Sequence, residues 1–284
     1  MGLARVGHEV QGLAHLDALV TWDDHADLAA RRGAGVVERN YLAERRRRGL
    51  MVLSGVLEPL LYLLSIGYGV GALIGRIPLP HGGTATYAEF VAPAMLAVSA
   101  MQGAVAETVF NFFVKMKYAR LYDGILATPV RPWEVAFGEL VWAMLRGLFY
   151  SAIFLTFMVG MGVTSWWRAL LAWPASLLVG LVFGGIGMAA STVMRSWQDF
   201  DLVITVQMAL FMFSATFVPL TRFPASVRWL AELSPLTHGV VLLRGITLGG
   251  ETPLAMVTAA GFMLLVTVVS FLVAARRMTS LLAS

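Results

Sequence analysis

Six stretches of this chain, each as long as a bilayer's hydrocarbon core is thick, decide what it can fold into. They run from Leu50 to Ile74, Phe90 to Val114, Val135 to Val163, Leu170 to Met194, Leu202 to Leu220 and Leu254 to Ala274. A helix rises about 1.5 Å per residue, so about 20 apolar residues cross a slab of about 30 Å. No water is available there for backbone polar groups, so a spanning segment must satisfy them internally, and the short alternating segments of a membrane barrel are not seen. Composition agrees: with 58% of its 284 residues hydrophobic and 13% charged, the chain has too few charges to coat a soluble domain of this size. The pattern predicts an all-α polytopic membrane protein with six transmembrane helices.

The charge is +4 with a pI near 9.7. In a soluble protein that balance would suggest nucleic acid, but here the cations sit in short clusters beside apolar runs, where they act as topology signals, and nucleic-acid binding is excluded. If the N-terminus is cytoplasmic, most of the 21 basic residues, including the run Arg45 to Arg48, Lys115, Lys117, Arg120 and Arg195, fall on the cytoplasmic side. Both termini are then cytoplasmic, and His81 and Thr247 lie outside. Arginine greatly outnumbers lysine, which suggests a GC-rich bacterial source, and the plasma (inner) membrane is the expected location. Residues 1–34 form a leader whose apolar positions are broken by His8, Glu9, His15 and Asp17 before a signal-peptide core can form.

Three polar-to-apolar connections carry further pattern. Val36, Val37, Tyr41 and Leu42 recur near helical spacing ahead of Arg45 and Arg46, so residues 35–49 read as an amphipathic interface helix lying on the inner surface. A plain positive-inside stop explains the arginines alone equally well. Between spans two and three, residues 115–128 hold Tyr118, Leu121, Tyr122, Ile125 and Leu126 on one face of a short helix, with Arg120 at its start and Thr128 and Pro129 ending it. That apolar face docks on membrane surface or on another protein, and periodicity does not choose between them. Between spans five and six, two helical pieces, Ala225 to Leu233 and Leu236 to Thr247, are broken at Ser234 and Pro235 and read as a re-entrant helical hairpin on the outer side.

Chemistry is mostly absent. A phosphate-cradling loop needs a lysine after its glycines, and the only lysines, Lys115 and Lys117, follow Val114 and Met116. The five histidines are isolated and cysteine is missing, so no catalytic residues and no metal site are expected. A secondary transporter or channel-like protein is the alternative, but no internal repeat supports it.

The sequence resembles the type-2 ABC exporter permeases, particularly the branch containing nodulation-factor exporter and antibiotic-resistance permeases. The residues that carry the resemblance are VVERNYLAERR before the first span, Arg120 through Pro129, Gly138 with Glu139, and above all FVPLTRFPASVRWLAELSPLTHGVVLLRG. The resemblance implies a permease domain over residues 50–284 that works with two cytoplasmic ABC ATPase subunits and a second permease copy or related permease. The ATP and magnesium belong to the partner, with no cofactor in this chain. It further implies that Tyr118, Arg120, Leu121, Tyr122, Ile125 and Leu126 form the ATPase-docking coupling helix. Val37, Tyr41, Arg45 and Arg46 would belong to the interface helix beside it, residues 223–248 to the outer hairpin, and the cargo would be an amphipathic drug, lipid or lipid-linked saccharide.

Charges within the spans are costly, about 2.5–3.5 kcal/mol each at a helix centre. Glu58 and Glu107 are expected about 12–15 Å in from the basic ends of their helices. Glu139 and Arg146 share a face of the third span, two turns apart, and are too distant to pair with each other. Either Arg146 neutralises Glu107 or Glu58 across a helix contact, or Glu58, Glu107, Glu139 and Arg146 border a substrate path that attracts cationic amphiphiles.

Overall fold

The computed structural model describes residues 34–43, 57–79, 82–118, 121–126 and 130–282. Residues 1–33 of the leader, Arg45 and Arg46 of the interface helix, His81, Arg120 and Pro129 lie outside the described residues. Among the described residues, helices α1 to α10 follow in chain order. Helix α1 covers residues 34–43. Helix α2, Leu57–Ile74, contains a π-helical stretch over Leu63–Val70. Gly75 ends it at φ +75°, a conformation that a side chain would strain.

The α2–α3 connection adds a short β-ribbon to the all-α frame. Strands β1, Arg76–Pro78, and β2, Thr84–Thr86, pair antiparallel with Ile77 opposite Ala85. The turn between them closes through Leu79 N donating to Gly83 O at 3.1 Å, with Gly82 and Gly83 at positive φ. Thr86 then starts α3, Tyr87–Met116, with a capping box: the Glu89 amide donates to Thr86 Oγ1 at 3.3 Å and the Thr86 amide donates to Glu89 Oε2 at 2.6 Å. That reciprocal arrangement is what Thr-x-x-Glu provides.

The remaining helices are α4, Leu121–Leu126; α5, Pro132–Gly160; α6, Trp166–Ser191; α7, Asp199–Phe213; α8, Ala225–Leu233; α9, Pro235–Leu248; and α10, Pro253–Leu282. Both α3 and α6 run through the middle, and α5, α9 and α10 each pack on α6. Close approach is possible because α6 carries glycine where its neighbours touch it. A Cβ at Gly187 would collide with Thr108 Oγ1 and lie 3.0 Å from Val109 Cγ2. The outer surfaces of α2, α6, α7 and α10 are apolar, as Leu73, Leu170, Leu202 and Leu254 show.

Among the described residues five helices are long and apolar enough to cross a membrane: Leu57–Ile74, Tyr87–Met116, Trp133–Gly160, Trp166–Ser191 and Pro253–Arg277. The segment expected as the fifth of six spans, Leu202 to Leu220, is helical only as α7. Its start is set by Asp199, whose Oδ2 accepts the Arg195 amide at 2.6 Å and the Ser196 amide at 3.2 Å. Its end is set at Ser214, after which Ala215 adopts φ +56°, a left-handed conformation costing about 1–2 kcal/mol in a non-glycine residue. Fifteen residues reach about 22 Å. The two helical pieces expected after it are α8 and α9, and their junction falls at Ser234 and Pro235 as the sequence indicates. Helix α9 is a core element, with Leu236, Val240 and Leu243 fully buried.

Candidate functional site

One end of the molecule gathers α1, the end of α3, α4 and the start of α5 around a single carboxylate. Glu139, in the second turn of α5, is buried. Its Oε2 accepts Lys115 Nζ from α3 at 2.7 Å and Asn40 Nδ2 from α1 at 3.0 Å, and its Oε1 accepts Arg39 Nη2 at 3.1 Å. Asn40 Oδ1 in turn accepts from Arg39 and Lys115. Of the apolar stripe expected on α1, Val36 is buried and Val37 half-buried, whereas Tyr41 and Leu42 are exposed. Tyr41 meets the edge of Trp142 at a ring separation of 6.5 Å.

Helix α4 is anchored next to this cluster. Tyr122 is 1% exposed and its ring lies 5.2 Å from that of Phe112. Burial, and then the nearby Glu139 charge, push its hydroxyl well above the usual tyrosine range. Ile125 packs against the same core. Sequence periodicity left this apolar face to a membrane surface or another protein, and the resemblance gave it to an ATPase, whereas in the fold Tyr122 packs inside this chain. Leu121 is half-buried and Gly124 is exposed.

The intramembrane charges separate into three settings. Glu107 sits in the π-helical turn Ala106–Asn111 of α3 and forms an ion pair with Arg146 of α5. Asn111 Nδ2 donates to the same carboxylate at 2.9 Å, and Arg146 Nη2 donates to Tyr150 Oη at 2.8 Å. Glu139 belongs to the cluster with Arg39 and Lys115, away from Arg146. Glu58 is exposed on α2, in an open groove of about 600 Å³ lined by Leu57, Leu61, Tyr62, Ser65 and Ile66.

A fifth charge is buried elsewhere in the helix bundle. Arg244, in α9, is 4% exposed. Its Nε and Nη2 donate to Phe90 O at 3.3 and 3.2 Å, Nη2 also donates to Ala215 O at 3.1 Å, and its guanidinium lies 3.7 Å from the Phe90 ring centroid. A usable signal existed: Arg244 is eight residues after Leu236 and four after Val240, on the buried stripe of α9.

Among the described residues no group of side chains could hold a metal ion. The apolar exterior and the long apolar helices of the described residues are those of a multi-pass membrane protein. Residues 35–248 match the ABC-2 type transporter family, and the chain belongs to that family as an ABC exporter permease. It is similar to nodulation protein J of Rhizobium leguminosarum bv. trifolii, with 33% identity over 218 residues covering 75% of this chain and 80% of the relative. The same protein of Bradyrhizobium diazoefficiens is 33% identical over 217 residues, again 75% and 80%. That of Rhizobium leguminosarum bv. viciae is 31% identical over 243 residues, 84% and 90%.

Proposed function

We infer that this chain is the membrane-spanning subunit of an exporter in the bacterial plasma membrane, powered by separate cytoplasmic ABC ATPase subunits and paired with a second permease. In this reading both termini are cytoplasmic and α7 is a sixth span. Helices α8 and α9 form a re-entrant hairpin toward the outer side. The cargo is an amphipathic drug, lipid or lipid-linked saccharide, and Glu58 with its groove on α2 borders the path along which it moves. ATP and magnesium act on the partner.

The observation that carries the reading is the cluster at Glu139. It ties α1, the end of α3 and the base of α5 at the place where α4 is anchored by Tyr122. A push on α4 from a cytoplasmic motor would reach two spanning helices through short charge-assisted bonds. Tyr118, Arg120, Leu121 and Leu126 remain as the docking residues, with Arg45 and Arg46 continuing the interface helix at the headgroups. Replacing Leu121 and Leu126 together with aspartate should leave membrane insertion intact while the ATPase no longer copurifies, because a charge forced into a dry docking face is costly. Undiminished copurification would remove α4 from the interface.

A further inference from the structure

We propose that Arg244 is a positioning residue for transport: it clamps the non-helical segment 214–219 against α3, and the clamp opens and closes with ATP turnover. The proposal rests on the permease reading above. Segment 214–219 follows the early stop of α7 and is held almost entirely by side chains of other elements. Arg244 of α9 bridges Ala215 O to Phe90 O, Tyr87 Oη of α3 donates to Phe217 O at 3.3 Å, and Ser214 and Ser234 share a hydrogen bond with their oxygens 2.7 Å apart. Phe90 lies three residues before Pro93, where the proline ring disturbs the helical ladder of α3. One guanidinium therefore bridges the turn after α7 to a backbone carbonyl of α3 close to Pro93, and its planar fork is suited to that task where an ammonium is not.

Two further observations argue that this arrangement is one of two states rather than a rigid joint. Ala215 is the one described non-glycine residue at positive φ, so the segment is held in a strained conformation by its neighbours. Thr216 Oγ1 and Thr237 Oγ1 are buried with no hydrogen-bond partner among the described residues, a cost that a rearranged segment could relieve. Beside the segment lies an apolar cleft of about 290 Å³, lined by residues that include Leu210, Phe213, Leu230 and Leu233, which gives it room to shift. Replacing Arg244 would leave Ala215 O without this buried donor and release the segment from α3.

The test uses the complete complex in membranes. Because the sequence holds no cysteine, a single Thr216→Cys substitution can be followed with a maleimide. Thr216 is 0% exposed, so the variant should react slowly at rest and faster during ATP hydrolysis. Adding Arg244→Gln should raise the resting rate about tenfold, the equivalent of losing one charge-assisted bond, and Arg244→Lys should fall between. Equal rates with Arg244 and with Gln, or no response to ATP, would overturn the proposal. If the Gln variant does not accumulate, Ser214→Cys with Ser234→Cys pins the segment without touching Arg244. Oxidising that pair should stop ATP hydrolysis by the complex and dithiothreitol should restore it. Unchanged hydrolysis in the oxidised pair would refute the clamp alone. A complex in which neither the reduced pair nor the parent hydrolyses ATP would refute the permease reading beneath it.

Discussion

Buried Glu107 and half-buried Arg146 face each other across α3 and α5, each with a second polar neighbour on its own helix. Removing one partner leaves the other charge desolvated without compensation, whereas replacing both with apolar groups removes the problem. Glu107→Gln should therefore lower the stability of the purified permease by about 3–5 kcal/mol, read as a fall in melting temperature. Adding Arg146→Leu should recover most of it. A double variant no more stable than the single one would contradict a primarily pairwise role. The sequence marked these two residues as one of two alternatives, because cost alone says that a buried charge needs a partner and not which one. Glu139 was grouped with them on helical spacing. Its actual partners, Arg39 and Lys115, come from 100 and 24 residues away, which no local pattern encodes.

At the scale of elements, what was legible follows the range of the forces involved. The apolar runs and the Ser234-Pro235 break are local, and α5, α6, α8, α9 and α10 lie close to where those signals put them. The stop of α7 was missed because SATFVP is apolar enough to continue a span by hydropathy, while its backbone turns at Ala215 under contacts from α3 and α9. The β-ribbon was missed because three-residue strands are too short to show a period of two. Glycines on α6 offer a test of packing against propensity. Alanine is favoured over glycine in a helix by about 1 kcal/mol, yet at Gly187 a Cβ meets Thr108 and Val109 of α3. Gly187→Ala should lower the melting temperature, whereas Gly261→Ala on α10, where nothing lies within 4 Å, should hold or raise it. A gain at both positions would mean that α6 and α3 are not in close contact.

For the whole molecule, orientation in the membrane is set by where cations must be pulled across it. The Glu139 cluster places Arg39 and Lys115 at one end, together with α4 and the start of α5, and Arg195 follows the end of α6 that returns to that side. Translocating this end would require dragging that basic set through hydrocarbon, and cytoplasmic retention of positive charge opposes it. The other end carries Gly162, the start of α6 at Trp166 and Trp167, and Arg168, whose guanidinium donates to Thr247 O at 3.0 Å. Exposed tryptophans at a helix start suit the headgroup layer. Helix α6 alone can report the orientation, since its two ends are about 39 Å apart at 1.5 Å per residue. Ser165 precedes it and Gln198 follows it, both exposed. In a cysteine-free background, Ser165→Cys should react with a membrane-impermeant maleimide on intact cells, and Gln198→Cys only after the cells are opened. The reverse pattern would invert the molecule, set α4 outside the reach of any cytoplasmic ATPase, and take the proposed coupling route with it.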